Sequence, residues 1–351
     1  MDELDNSHPI FIVGTERSGS NLLRLILNTH SNITVPHPPH IMHFMGSLEG
    51  RYGDLNEQDN FYRLVADVLG LIDIHIYPWD VKLDIDQLIS RAPSRDLFGV
   101  FVTVYNAYLK ASNKKRWACK STFMVEHADA IFRLFPHAKL LWLVRDPRDV
   151  AVSSMHSVFN PFHPYHTARL WHEQQQKGLA LANGPYAENV LQLHYENLIA
   201  QPETTVKKIC AFIDEPFEST MLAFAETPEA KLSGTLSESW KNTAKPIMSN
   251  NAGKYKKRLS SIQIKTVESA AGKTMVNLGY TPDNTDWQSH TIGPVSRALF
   301  GVQDTLLNIQ VQIKSLLNDK NFGRRIARRL YLTKLSWVRR SPPTTHKHLS
   351  K

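Results

Sequence analysis

Six residues near the amino end have the composition and spacing of an anion-binding loop. The segment Gly14-Thr-Glu-Arg-Ser-Gly19 combines two glycines with a cation at Arg17 and a hydroxyl at Ser18. Such a loop can turn tightly, so that its N–H groups and the positive end of a following helix point at one anion. The G-x-x-x-x-G spacing is that of a nucleotide phosphate loop, but Ser20 and Asn21 stand where nucleoside triphosphatases have Lys and Ser/Thr. The loop therefore predicts a phosphate ligand whose transferred group is not a γ-phosphate.

A second candidate phosphate site combines Arg145 and Ser153, eight residues apart in Arg-Asp-Pro-Arg-Asp-Val-Ala-Val-Ser. Arg145 ends the apolar run 139–145, and Ser153 follows in a segment that begins a helix. A guanidinium at the end of a strand and a hydroxyl in the first turn of the next helix can bind one phosphate together. The alternative interpretation is a solvated charged turn without a ligand.

Alternating apolar runs must position these groups. Strands are predicted at 10–13, from 116, at 139–145 and at 190–195, and helices at 61–74, 97–109, 126–135, 149–156, 204–213 and 262–278, with a surface loop at 240–259. The connections between the strands are too long for hairpins, which favours parallel pairing. We expect an α/β fold, a P-loop-like parallel sheet flanked by helices on both faces, with phosphate at the carboxyl ends of its strands.

These two motifs resemble the donor site of sulfotransferases that use 3′-phosphoadenosine 5′-phosphosulfate (PAPS), in particular the tyrosylprotein and bacterial branch. Arg17-Ser-Gly-Ser-Asn21 is similar to the family's 5′-phosphosulfate loop, and Arg145 with Ser153 to its 3′-phosphate site. Trp117-Ala-Cys-Lys120 resembles the segment whose lysine faces the bridging oxygen of the donor. His194-Tyr-Glu-Asn-Leu resembles the segment whose tyrosine lies near the adenine, and 239–254 resembles the family's C-terminal cap.

The resemblance covers about residues 9–283 and implies an enzyme that transfers a sulfuryl group from PAPS to a hydroxyl or amine, by in-line displacement and without a metal. The donor-binding residues that it implies are Arg17, Ser18, Gly19, Ser20, Asn21, Arg145, Ser153, Tyr195, Ser239 and Lys254. Fixed cations and N–H groups lower the barrier where the leaving phosphate gains charge, a role expected for Arg17, Lys120 and Ser239.

The entering acceptor also needs a base. Tyrosylprotein sulfotransferases have a glutamate soon after the first helix, whereas this chain has His37-Pro-Pro-His40 there. Cytosolic sulfotransferases use a histidine from a later segment, which corresponds here to His75. A histidine base is chemically sensible because the unperturbed pKa of imidazole is close to neutrality. His37 and His40 are the predicted catalytic bases, with His75 and ordinary loop histidines as alternatives.

The carboxyl-terminal segment differs in charge from the rest of the 351-residue chain. Residues 318–351 contain ten Lys and Arg and one acidic residue, a net charge of +9, so the other residues sum to −1 of the total of +8. Phe322, Ile326 and Leu330 predict one apolar face of a basic helix, suited to an anionic membrane surface. The alternative is a solvated tail. Nucleic-acid binding is not expected, because no recognised module accompanies the charge.

The composition sets the remaining expectations. Two distant cysteines exclude a disulfide scaffold, and the sequence contains no signal peptide or apolar run of membrane-spanning length, so we expect a cytoplasmic protein, at most peripheral on the inner membrane face. The predicted domains are 9–283 and a basic, helical and partly disordered extension at 284–351. The acceptor class stays open among small molecules, carbohydrates and lipids. A P-loop kinase or nucleoside triphosphatase, and a non-catalytic nucleotide-binding scaffold, are the alternative functions.

Overall fold

The centre of the molecule is an all-parallel sheet of five strands. The computed structural model describes residues 8–77, 79–155, 157–158, 161–236 and 238–339, without the side chains of 238, 239, 241 and 318. The strands are β1 (Ile10–Gly14), β2 (Ile33–Thr34), β3 (Arg116–Lys120), β4 (Lys139–Val144) and β5 (Val190–His194), in the order β2-β3-β1-β4-β5. The predicted α/β fold with a parallel sheet is confirmed. In the register, Ile10 lies opposite Ala118 of β3 and Lys139 of β4.

Helices connect these strands and also follow the last of them. They are α1 (Ser20–Thr29), α2 (Ile41–Met45), α3 (Gln58–Asp73), α4 (Ile85–Arg91), α5 (Leu97–Ser112), α6 (Ala128–Leu134), α7 (Pro147–Met155), α8 (Pro164–Ala182), α9 (Tyr195–Ala200), α10 (Pro202–Phe212), α11 (Pro228–Leu236), α12 (Tyr255–Arg258), α13 (Ser261–Asn277), α14 (Pro294–Asn318) and α15 (Phe322–Val338). Short 3-10 helices span Gly46–Tyr52, Thr122–His127, Ala187–Asn189, Ser219–Glu226 and Glu238–Ala244. None of the helices in the described part of the chain is long and apolar enough to cross a membrane.

The chain folds as two compact units. Unit 1 comprises Met1–Pro36 and Lys114–Lys320, and unit 2 comprises His37–Asn113 and Asn321–Lys351. The junctions therefore lie at 36/37, 113/114 and 320/321, and the division between 9–283 and 284–351 stays a prediction.

Unit 1 contains the sheet and its main core. The strand β1 is buried over its whole length because it lies in the middle of the sheet. Its residues Ile10 and Ile12 belong to a cluster with Leu23 and Ile26 of α1, while Phe11 packs edge-on against Trp117. Because side chains alternate between the two faces of a strand, both faces of the sheet are covered. The parallel strands all end at one edge, which is where the candidate site lies.

Unit 2 is helical, and the basic helix α15 packs within it. The hydroxyl of Tyr331 donates to the carbonyl of Asp67 at 3.0 Å, and Arg339 pairs with the Asp67 carboxylate at 2.8 Å. The Arg324 guanidinium donates to the carbonyl of His75 at 2.7 Å, and Arg328 lies over the Phe44 ring. The predicted basic helix is therefore present, with several of its cations engaged inside unit 2. Residues 340–351 of the predicted tail lie outside the described residues.

Several predicted boundaries differ from the structure. The helix predicted at 126–135 begins at Ala128, after a 3-10 helix, and the segment predicted as a loop at 240–259 contains part of one 3-10 helix and the one-turn α12. Ser153 lies in the second turn of α7, so its predicted place in the first turn is wrong. The sequence did not indicate β2, α8 or α14, and the last of these lines the candidate site.

Candidate active site

The loop between β1 and α1 has a backbone that depends on its two glycines. Gly14 has φ +144°, and a Cβ added there would overlap the carbonyl oxygen of Leu143 in β4. Gly19 has φ +95°, and a Cβ there would overlap the ring of Tyr195. Between them Arg17 has φ +70°, a left-handed conformation that costs a non-glycine residue free energy. The loop is thus fixed by close packing between the ends of neighbouring strands.

The two predicted phosphate motifs lie in contact. Arg17 Nε donates to Ser153 Oγ at 3.0 Å, and Arg145 Nη1 donates to the carbonyl oxygen of Arg17 at 3.0 Å. Parallel pairing of β1 with β4 brings these residues together, because Gly14 lies beside Leu143 at the same edge of the sheet. The structure therefore places both motifs around one site.

Arg145 is held on several sides. Its second terminal nitrogen, Nη2, donates to the carbonyl of Asn251 at 2.9 Å, and its guanidinium lies 4.3 Å above the Tyr195 ring. Asn251 Nδ2 donates to the Tyr195 hydroxyl at 2.6 Å, and Trp171 Nε1 donates to the Arg145 carbonyl at 3.0 Å. Arg145 Nε is buried and has no hydrogen-bond partner among the described residues. The fixed guanidinium therefore keeps one donor for an anionic ligand.

The charged segment after β4 is buried, which contradicts the interpretation as a solvated turn. Arg148 pairs with Asp146 and Glu268, each at 2.8 Å, and lies over the Tyr255 ring. Asp149 is 1% exposed and accepts the N–H groups of Gly253 at 2.6 Å and Tyr255 at 2.9 Å. These contacts hold the segment that carries Asn251 and Lys254 against the site. Sequence reasoning missed them, although five charged or proline residues directly after an apolar strand were a signal.

A cavity of about 820 Å³ opens at this edge of the sheet. Its walls include most of the predicted donor-binding residues, namely Arg17, Gly19, Ser20, Asn21, Arg145, Ser153, Tyr195 and Lys254. Further cations line it at Lys245, Arg258 and Lys314. The helix α14 contributes Leu307, Gln310 and Val311 to its wall. The cavity is large enough for a nucleotide and is lined by more cations than carboxylates.

Two cations of the site have pKa values below their ordinary range. Lys120, the last residue of β3, is buried, and this burial, with repulsion from Arg24, lowers its pKa to about 8. Burial lowers the pKa of Arg17 to about 10, with a smaller contribution from the charge of Arg145. Both shifts reflect the cost of holding a cation away from water, which the charge of Glu16 only partly offsets. A bound anion would raise both pKa values.

The other predicted residues are Ser18 in the β1–α1 loop, Ser239 and the two candidate bases. Ser18 is fully buried, and its Oγ and the Oδ1 of Asn21 find no hydrogen-bond partner among the described residues. Ser239 lies in the 3-10 helix Glu238–Ala244, but its side chain is outside the described part of the chain. The predicted bases His37 and His40 belong to unit 2.

The histidines of unit 2 form their own cluster. His37 is buried, stacks on the Tyr77 ring at 5.4 Å and lies 5.1 Å from the His75 ring. His75 Nδ1 lies 2.7 Å from the carbonyl of Tyr77. His40 precedes α2 in a left-handed conformation and packs edge-on against Phe44. Two of the three candidate bases therefore share one aromatic environment, and His40 has another.

The chemistry of the site suits a phosphate-containing donor. Ser18 Oγ and Arg145 Nε are buried donors that have no partner among the described residues, and Arg17 and Arg145 supply positive charge at the cavity, whereas Lys120 is buried at the end of β3 and is not in the cavity lining. Phosphate oxygens accept such hydrogen bonds strongly. Among the described residues, no group of three or more histidine, cysteine or acidic side chains has the arrangement of a metal site.

The sequence and the fold place the protein in a known class. Residues 9–219 match the sulfotransferase family, and the chain belongs to that family. Protein-tyrosine sulfotransferase A of Caenorhabditis elegans is 24% identical over 221 residues, which cover 61% of this chain and 51% of that protein. The chain thus spans about half the length of this relative.

Two solved structures share the fold. The sulfotransferase domain of the Synechococcus PCC 7002 olefin synthase has a TM-score of 0.50 and 24% identity, covering 76% of this chain and 96% of that one. The sulfotransferase domain from the curacin biosynthetic pathway has a TM-score of 0.51 and 20% identity, covering 78% of this chain and 98% of that one.

Proposed function

We propose that the protein is a PAPS-dependent sulfotransferase that transfers the sulfuryl group to a hydroxyl or amine of an acceptor. The observation that carries this proposal is the contact of Arg17 with Ser153 and Arg145 at one cationic cavity. Two phosphate-binding motifs beside one cavity suit a nucleotide with phosphates at two positions. Binding of a nucleoside triphosphate needs a lysine at the position of Ser20 and a magnesium-binding Ser or Thr at the position of Asn21. The loop has neither.

The residues divide into two groups by their position. The β1–α1 loop, Arg17 and Lys120 would hold the 5′ end of the donor, and Arg145 with Ser153 the 3′-phosphate. Tyr195 would lie against the adenine. PAPS supplies the activated sulfuryl group when bound. The protein would contribute by holding cations and N–H donors at the 5′-phosphate, where negative charge develops during transfer.

The candidates for the base that removes the acceptor proton are His37, His40 and His75. Alanine at each position should leave one variant slow in single-turnover transfer while its affinity for 3′-phosphoadenosine 5′-phosphate (PAP) is intact. The contact between the His37 and His75 rings predicts that substitution of either one also perturbs the other. Three variants with nearly normal rates would refute a histidine base.

One titration tests the class of nucleotide. PAP and ATP–Mg²⁺ are titrated into the same preparation by calorimetry, and the increase in Tm is measured at equal ligand concentrations, because a ligand that binds the folded state raises Tm. We expect tighter binding of PAP. Tighter binding of ATP–Mg²⁺ would overturn the proposal in favour of a kinase or nucleoside triphosphatase.

A second experiment tests transfer. PAPS labelled in the sulfuryl group is incubated with acceptor panels of phenols, alcohols, amines, carbohydrates, lipids and tyrosine-containing peptides. The peptides are included because relatives are named protein-tyrosine sulfotransferases. Labelled product that disappears in the Arg17→Ala variant supports the proposal. Tight PAP binding with no product on any panel would favour the nucleotide-binding scaffold.

A further inference from the structure

The helix α14 exposes a continuous apolar stripe. We call this stripe the α14 seam; it consists of Val295, Leu299, Val302, Leu306, Ile309, Ile313 and Leu316, whose exposed fractions lie between 51% and 84%. Exposed apolar residues usually occur singly on a protein surface. A row of seven on one helix is therefore a feature that needs a partner surface.

The rest of unit 1 fixes the orientation of the seam. On the opposite side of α14, Phe300 stacks on His163 with ring centroids 4.4 Å apart. The Asp304 carboxylate accepts the backbone N–H groups of Phe162 at 2.8 Å and His163 at 2.6 Å. Ser315, near the end of the helix, is 5% exposed. Because this side is anchored, α14 cannot rotate to bury the seam against its own unit.

The spacing of the seam is that of a coiled coil. From Val295 to Leu316 the steps alternate between four and three residues, a mean period of 3.5. A strict 3.5 period keeps apolar residues facing one partner helix along a left-handed supercoil, whereas a helix on a curved globular surface shows the 3.6 period. The pattern covers three heptads of a 25-residue helix, about 38 Å in length.

The area of the seam fits an interface of ordinary size. The exposed fractions add up to about four complete side chains, or roughly 400 Å² of apolar surface. Because interfaces are on average somewhat more than half apolar, this patch belongs to an interface of about 700 Å² per copy. Standard interfaces bury about 800 Å² per partner.

The residues that flank the seam indicate which partner it takes. In the coiled-coil arrangement the flanking positions are Ser296, Ala298, Gln303, Thr305, Gln310, Gln312 and Leu317, and all are uncharged. Two identical helices would therefore meet without repulsion between like charges, which flanking charges of one sign would cause. A helix that lies on a membrane carries Lys and Arg along its polar face. Along α14 the basic residues are only Arg297 and Lys314.

We propose that the protein self-associates by pairing the α14 seam with the α14 seam of a second copy. The packing of the opposite side on unit 1 leaves one exposed stripe, which matches one partner helix. This proposal does not depend on the sulfotransferase activity, because it rests on α14 alone.

Light scattering after size exclusion, together with sedimentation equilibrium, tests the proposal on the full chain. We expect twice the mass of one chain, and a variant with Leu306→Glu and Ile313→Glu that dissociates with a Kd at least about 100-fold weaker, because each glutamate would be buried in the apolar interface. The matched control is Ile262→Glu, which places the same residue type on an apolar position of α13 that is 79% exposed. This control should keep the parent mass.

A crosslink provides a second measurement that does not depend on weakening the interface. Leu306 lies near the middle of the seam, so its copies come close whether the helices pair in parallel or in opposite directions. The two native cysteines, Cys119 and Cys210, are buried. Mild oxidation of a Leu306→Cys variant should therefore give a disulfide-linked species of twice the mass, with the introduced thiols losing two electrons to the added oxidant, and Ile262→Cys should not.

Two results would overturn the proposal. One is the mass of a single chain for the parent protein over the whole concentration range. The other is a parent dimer whose Kd the double variant does not change, while circular dichroism shows the variant folded. Vesicles of phosphatidylcholine and phosphatidylglycerol provide the competing measurement. Monomeric protein that floats with these vesicles, and loses flotation with Leu306→Glu, would assign the seam to a membrane instead.

Discussion

Arg145 gives the most direct measurement of the proposed donor site. The side chain is 6% exposed, and the carbonyls of Arg17 and Asn251 and the ring of Tyr195 fix it, while Nε keeps an unused donor among the described residues. A charged hydrogen bond contributes about 1.5–3 kcal/mol. Arg145→Ala should therefore raise the Kd for PAP by about 10- to 150-fold, at 1.4 kcal/mol per tenfold change.

Arg145→Lys separates charge from geometry. Lysine keeps the positive charge but cannot donate to two carbonyls while stacking on an aromatic ring, so we expect a smaller loss of affinity, about tenfold. Because the attraction includes a charge interaction, the difference between the parent and the alanine variant should shrink as salt is added. Calorimetric titration of PAP at several salt concentrations measures both effects.

The control for these variants is Arg116→Ala. Arg116 is also largely buried, pairs with Glu215 at 3.1 Å and donates to the carbonyl of His8, but it begins β3 at the opposite edge of the sheet. Its loss should lower Tm and leave the Kd for PAP unchanged. A folded Arg145→Ala protein that binds PAP within about twofold of the parent would refute the assignment of Arg145 to the donor.

Three further predictions concern the loop and its neighbours. Arg17→Ala should lower the single-turnover rate by about 100-fold or more and raise the Kd for PAP by less than tenfold, because the cation acts where charge develops; rapid quench and calorimetry measure the two values. The affinity for PAP should be constant between about pH 7, above which its phosphates are fully ionised, and pH 8, and should fall by up to about tenfold per pH unit above pH 8, because Lys120 loses its charge near its pKa of about 8; Lys120→Arg should move this fall to higher pH. Gly19→Ala should destabilise the fold by about 1–2 kcal/mol and weaken PAP binding, because its Cβ would overlap Tyr195 at a positive φ. The control Gly301→Ala lies inside α14 with open space around it and should raise Tm slightly in thermal denaturation.

The opposite outcomes are equally specific. An Arg17→Ala variant that loses affinity more than rate would make Arg17 a ground-state binding residue. A PAP affinity that does not change between pH 7 and pH 9.5 would show that the charge of Lys120 does not contribute to binding. A Gly19→Ala protein with the Tm and PAP affinity of the parent would show that the Tyr195 ring moves at no cost.

The sequence predicted the elements with a strong apolar pattern. The strands predicted at 10–13, from 116, at 139–145 and at 190–195 are confirmed, and the observed ends differ by one residue where an end was predicted, because buried parallel strands are short runs of apolar residues bounded by polar ones. β2 was missed because it has only two residues, Ile33 and Thr34, which are too few to show an apolar pattern. α8 was missed because its buried side is partly polar: Gln175 is fully buried, where it accepts from Trp142 and donates to Thr15.

The site was predictable only as far as local motifs reach. Gly14 to Asn21 and the Arg145–Ser153 pair could be found because each motif is contiguous in sequence. The roles of Asp149 and Asn251 could not be found, because they depend on contacts across about a hundred residues. The place of α14 at the cavity was beyond prediction for the same reason.

The helix α14 lies between the cavity and the proposed interface, and this position has a thermodynamic consequence. One side contributes Leu307, Gln310 and Val311 to the cavity wall, and the other carries the seam. If self-association shifts this helix, the free energy of association and that of nucleotide binding are linked. By reciprocity, a second copy and PAP must then change the affinity of the protein for each other by the same factor. The apparent affinity for PAP would then depend on protein concentration. Through this one helix, the fraction of protein molecules with bound donor would vary with the total concentration of the protein.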